Sequence, residues 1–116
     1  MEHIIRAFGY SLEGLRAAFR SEFAFRVEVF VFAVFFPFAC LINVSPASRA
    51  ILIMSLFLVL LAELGNTAIE AVVNRISTEI HPLSKKAKDV GSAMVFITLI
   101  NAGCCWGVIL WAKLFS

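Results

Sequence analysis

Residues 90–112 read VGSAMVFITLINAGCCWGVILWA: twenty-three residues without a charge, closed by Lys88 and Asp89 on one side and Lys113 on the other. A bilayer-spanning helix needs about 20 largely apolar residues, so this stretch points to a membrane. The rest of the chain agrees. Of 116 residues, 61% are hydrophobic and 16% charged. Soluble domains run near 45–50% apolar and about 25% charged. One small core cannot hide that surplus from water. Disorder, collagen, a disulfide-rich secreted scaffold and two ordinary soluble domains are excluded. A net charge of +2 is too small to indicate nucleic acid. Cys40, Cys104 and Cys105 lie in apolar runs without metal-site spacing and read as small packing residues.

Two further spans follow. One covers about 27–44; it is crowded with phenylalanine, and Pro37 is expected to kink it. The next covers about 50–73 and carries Glu63, Asn66 and Glu70 in its second half. Residues 43–48, with Ser45 and Pro46, read as a short turn. Residues 1–22 differ. Ile4, Ile5, Phe8, Leu12, Leu15 and Phe19 recur at helical spacing against a charged face, as in an amphipathic helix on a membrane surface. A cleavable signal peptide is not expected, because the strong apolar run starts late and no small-residue cleavage motif follows it. The expected fold is all-α: one surface helix and three transmembrane helices in a single domain over 1–116.

Orientation follows from lysine and arginine. Arg6, Arg16, Arg20 and Arg26 precede the first span, and Arg75, Lys85, Lys86 and Lys88 lie between the second and third. Arg49 and Lys113 are alone on the other side. The N-terminus and the loop 74–89 are therefore expected in the cytoplasm, and the C-terminus opposite.

Acidic residues inside a span cost a few kcal/mol on insertion scales, and two on one helix need a reason. Glu63, Asn66, Thr67, Glu70 and Asn74 share one stripe at 100° per residue. Small neighbours, Ala62, Gly65, Ala68 and Ala71, let other helices approach. With Arg49 at the outer boundary, Glu63 lies about 21 Å inward and Glu70 about 10 Å further. A lipid hydroxyl can reach the first, and a metal–nucleotide can dock at the second. Magnesium takes carboxylate oxygens while keeping waters and substrate phosphates. A deep general base with a shallow metal ligand is what lipid phosphorylation needs. The competing reading is a polar helix–helix contact that fixes assembly.

Other positions stay open on spacing alone. Glu22 or Glu28 completes a metal site with Glu70, or else pairs with Arg20 or Arg26. Lys88 holds a phosphate as a point charge, or marks the membrane edge. His81–Pro82 reads as a loop turn. Gly103-x-x-x-Gly107 permits close helix packing, and Trp106 and Trp111 approach the outer interface. No P-loop or protein-kinase signature is present, so a nucleotide site must be built from helix ends and the loop.

Three segments carry a resemblance: ELGNTAIEAVVNRI at 63–76, KAKDVGSA at 86–93 and GYSLEGLRAA at 9–18. Together they resemble the bacterial diacylglycerol kinase family, small three-span membrane enzymes, and the likeness runs from about residue 3 to 111. It implies a homotrimer in the inner membrane with sites between subunits and a periplasmic C-terminus. The implied reaction moves the γ-phosphoryl group of MgATP to diacylglycerol, giving phosphatidic acid. The resemblance makes Glu63 the general base. It makes Glu22 and Glu70 metal and nucleotide ligands. Tyr10, Glu79, Ile80, His81, Lys88 and Asp89 fall on ATP-contact positions, as does His3. Asn66 falls on an active-site asparagine, and Arg49 and Ser92 on lipid positions with Glu63. Two residues depart from the pattern. His3 replaces an arginine, which weakens phosphate contact at neutral pH, and Asn74 replaces an aspartate in a closely related pattern.

The expected mechanism is direct in-line transfer governed by positioning and electrostatics. The nearest alternative is undecaprenol kinase of the same fold. A small cation channel or a non-enzymatic assembly subunit accounts for membrane carboxylates, but not for Glu22, Lys88 and Asp89 together.

Overall fold

The computed structural model describes residues 1–76 and 78–115. Four helices follow one another: α1 (Glu2–Ser21), α2 (Phe23–Leu41), α3 (Pro46–Ile76) and α4 (Pro82–Phe115). No strand occurs among the described residues. The last three are each long and apolar enough to cross a membrane. At 1.5 Å per residue, the 31 residues of α3 and the 34 of α4 run about 46 and 51 Å. Both exceed the roughly 30 Å hydrocarbon core, so each carries a helical extension beyond it.

The apolar stripe of α1 leaves Ile4, Ile5 and Phe8 more than 60% exposed, as a face laid against lipid requires. Its opposite side buries Ala18. Small residues of α1 there face Thr67, Ala68 and Ala71 of α3 across a cavity. Arg26 closes the α1–α2 junction by donating from Nη1 to the carbonyls of Phe19 (2.8 Å) and Arg20 (3.0 Å). These carbonyls belong to the last turn of α1, where cations satisfy unpaired acceptors.

Several helix bounds differ from the sequence expectation. α2 ends at Leu41 because Ile42 is already extended, at φ −65°, ψ 143°. α3 restarts at Pro46, inside the expected turn. The Ser45 hydroxyl accepts the Ser48 N–H at 3.2 Å, an N-cap bond, and proline suits the first helical position. α2 runs on as one helix through Pro37. Most of 74–89 is helical too: α3 continues to Ile76 and α4 begins at Pro82. His81 drives the second start, since its Nδ1 accepts the Leu83 N–H at 3.1 Å.

The outer half of the bundle is held by aromatic packing. Ala39, Leu52, Leu56 and Trp106 form the buried core. Phe35 meets the Trp106 ring edge-on at 5.2 Å, a favourable arrangement of the two quadrupoles. Trp106 Nε1 donates to Ser55 Oγ at 3.0 Å, and that hydroxyl donates to the Leu52 carbonyl at 2.7 Å. A polar chain is thus closed within the apolar layer.

Candidate active site

The inner half of the bundle is organised by the stripe on α3. Glu63 is buried at 5% exposure. Asn66, one turn on, donates from Nδ2 to Glu70 Oε1 at 3.2 Å. This charge-assisted bond sets the orientation of the Glu70 carboxylate. Asn66 packs against Gly91 of α4. A β-carbon at Gly91 would collide with Asn66 Oδ1, so glycine there permits the crossing. Asn66 Oδ1 and Thr67 Oγ1 are buried and have no hydrogen-bond partner within the protomer, as is Glu28 Oε2. Such atoms call for a partner from outside the chain.

Glu22 reaches this stripe from the α1–α2 junction. It is the one extended residue between two helices, φ −117°, ψ 111°. Arg26 is occupied by the carbonyls of α1, and Glu22 lines the same cavity as Glu63, Asn66, Glu70 and Ser92. That cavity measures about 390 Å³ and is walled on its outer side by Val95, Phe96 and Leu99. Three carboxylates, Glu22, Glu63 and Glu70, thus line one cavity, and no described lysine or arginine lines it with them.

A second cavity, of about 250 Å³, lies one helical turn further along. It opens between the extensions of α3 and α4. Asn74, Glu79, Ile80, His81, Lys88 and Asp89 are among its lining residues. Lys85 pairs with Asp89 at 2.6 Å. Two lysines and the start of α4 make this end attractive to phosphate.

The structure thus brings Glu22, Glu63, Asn66, Glu70 and Ser92 together, with Glu79, Ile80, His81, Lys88 and Asp89 beside them. His3 and Tyr10 lie exposed on α1 and line neither cavity. Arg49 is at the opposite end of the bundle. Its guanidinium donates to the carbonyls of Ala39, Cys40, Ile42 and Val44 at 2.7–3.4 Å, which caps the end of α2. Lys113 reinforces the same turn through the Asn43 carbonyl at 2.9 Å. Sequence reasoning missed Gly91 as the residue that seats Asn66. The signal was the pairing of a β-carbon-free position with a polar stripe, and only the crossing reveals it. The aliphatic wall of Val95, Phe96 and Leu99 also escaped notice, since nothing distinguishes it from lipid-facing residues.

For a magnesium ion, the donor set fits. Among the described residues no cluster of three metal-ligating side chains occurs, but magnesium is commonly held by one or two carboxylates plus substrate phosphates. Glu22 and Glu70 meet that requirement.

Comparison with known proteins points to one family. The family model for prokaryotic diacylglycerol kinase matches residues 9–110. A diacylglycerol kinase of Pseudomonas aeruginosa is 49% identical over 110 residues, covering 95% of this chain and 89% of the relative. The diacylglycerol kinase of Escherichia coli K12 is 48% identical, covering 94% and 89%. That of Haemophilus influenzae is 44% identical, covering 95% and 93%. A family match over residues 9–110, with relatives this similar over most of their length, means that the chain belongs to the prokaryotic diacylglycerol kinase family.

Proposed function

We propose that this protein is a lipid kinase that transfers the γ-phosphoryl group of MgATP to diacylglycerol, giving phosphatidic acid and ADP. The observation that carries the reading is the gathering of Glu22, Glu63, Asn66, Glu70 and Ser92 around one cavity, one turn from a groove with Lys88 and Asp89. The lipid enters sideways, its hydroxyl reaching buried Glu63 and its chains remaining among apolar helices. That hydroxyl oxygen attacks the γ-phosphorus in line. Its proton passes to Glu63, and the bond to the bridging oxygen breaks as ADP leaves. Glu22 and Glu70 would hold magnesium, with Asn66 fixing Glu70. Held there, the ion would supply positive charge against the transferred phosphoryl group. Lys88 adds a point charge from the neighbouring groove. The chain itself supplies mainly position and a dry, preorganised site.

The working form is a homotrimer in the bacterial inner membrane, with sites between subunits. The unpartnered buried atoms of Glu28, Asn66 and Thr67 support a site completed by a neighbour or by substrate. The N-terminus and 74–89 face the cytoplasm by the lysine and arginine bias.

The test is phosphate transfer from labelled MgATP in mixed micelles, with diacylglycerol and undecaprenol in parallel. Label in phosphatidic acid, lost in Glu63→Gln while trimer and nucleotide binding persist, is the expected result. Label chiefly in undecaprenyl phosphate would change the substrate. Label in neither, from folded protein, would sink the kinase reading and leave the channel or assembly alternatives.

A further inference from the structure

The transmembrane helices leave a groove along the bundle. α2 and α4 both pack on α3, yet no Cα of α2 lies within 8 Å of a Cα of α4 among the described residues. α3 therefore floors a gap between them. The carboxylate cavity occupies its inner part. Its outer part is a second space of about 210 Å³, lined by Val31, Phe35, Leu56, Ala102, Gly103 and Trp106. The two spaces use the same faces. On α3, Glu63 and Leu56 are seven residues apart; on α2, Ala24 and Val31 are seven apart. On α4, Leu99 of the inner space is followed by Ala102 and Gly103 of the outer. Positions three, four and seven apart stack along one helix face.

The outer end is closed. Trp106 is 9% exposed, tied by its Nε1 to Ser55 and packed on Phe35 and Phe38. Gly103 leaves the groove open just before it: a β-carbon there would meet nothing within 4 Å.

We propose that one acyl chain of the acceptor lipid lies in this groove, and that Gly103 and Trp106 set the chain length it accepts. The inference rests on the diacylglycerol kinase reading and deepens it. A hydroxyl held at Glu63 is joined to chains that must leave a polar cavity for an apolar space, and this groove is its apolar continuation. From Glu63, where the hydroxyl is held, Leu56 of the outer space lies about 10 Å along the same face of α3, and Ser55, the partner of the Trp106 indole, about 12 Å. A short chain ends within that reach, and a longer one meets the anchored indole.

Two measurements test this. The first compares kcat/KM for dioctanoylglycerol and dioleoylglycerol in the wild type and in Gly103→Leu. The β-carbon of the new side chain meets nothing within 4 Å. The expected loss is roughly tenfold greater for the long-chain lipid, the scale at which apolar pockets discriminate. Val108→Leu, on another face of α4, is expected to leave both values unchanged. Equal losses on both lipids, or loss of oligomeric mass, would overturn the proposal; the latter would assign the groove to a helix of a second copy. The second uses a diacylglycerol bearing a diazirine at the end of one chain. Photolabel on Phe35 or Trp106 is expected, reduced in Gly103→Leu. Label spread over other lipid-facing residues would refute the groove. Photolabelling needs no turnover, so a failure of the kinase reading shows separately, as absence of phosphatidic acid.

Discussion

Gly91→Ala isolates the contact on which the site is built. Alanine places a β-carbon against Asn66 Oδ1, with Asn66 Cγ and Ile69 Cδ1 at 3.4 and 3.5 Å. Either the Asn66 amide retreats by about 1 Å or the helices part. Overpacking of this kind costs about 1–3 kcal/mol. The functional cost arises through Glu70, because the 3.2 Å bond from Asn66 is the first thing the retreat breaks. A misplacement of about 1 Å near the chemistry lowers turnover by about 100-fold. Phosphatidic acid formation at saturating lipid and ATP gives kcat, and Asn66→Ala supplies the partner variant. Each single substitution is expected to lose about 100-fold. The double variant should be no worse than Asn66→Ala, since removing the amide removes the obstacle. Multiplying losses would mean that the two positions act independently, and the account of Gly91 would be wrong. Gly65→Ala is the matched comparison at the same crossing. Its β-carbon meets only the Met94 methyl at 3.4 Å, a flexible tip that gives way, and near-normal kcat is expected.

Three further outcomes follow from the same geometry. Arg49→Ala removes the donor to four carbonyls at the end of α2; it should lower resistance to thermal inactivation by about 1.5–3 kcal/mol for a charged hydrogen-bonding group, with little change in KM for diacylglycerol, and a large KM change would assign Arg49 to the lipid instead. Ser55→Ala leaves the buried Trp106 Nε1 without its acceptor; unfolding in sodium dodecyl sulfate should show a loss of about 1–3 kcal/mol, whereas no change would mean the indole finds another partner. Lys88→Ala should raise KM for ATP and spare KM for diacylglycerol in steady-state assays, because Lys88 lines the neighbouring cavity at the ends of α3 and α4 and not the carboxylate cavity; equal effects on both would contradict the division of the two spaces.

The polar stripe shows how far a sequence carries such a site. Glu63, Asn66 and Glu70 share one face of any helix, because 3.6 residues per turn holds regardless of neighbours. Their placement on α3 was legible from spacing. The location of Glu22 was not, because an extended residue between two helices can direct its side chain in many ways. Arg49 was legible only as an outer charge. Its role as a cap depends on α2 stopping at Leu41, which exposes the carbonyls that it covers. The stretch 74–89 looked like a loop by its charges, yet it continues α3 and starts α4. Charge marks the membrane boundary; it does not end a helix.

Three apolar runs, their lengths and one carboxylate stripe were determined by the sequence alone, since the lipid solvent demands internally bonded helices and helical periodicity is local. The tertiary structure decided which stripes meet. It seated Asn66 against Gly91, opened the gap between α2 and α4, and set Trp106 across its end. Those choices depend on side-chain shapes meeting across residues far apart in the chain, and no local period contains that information.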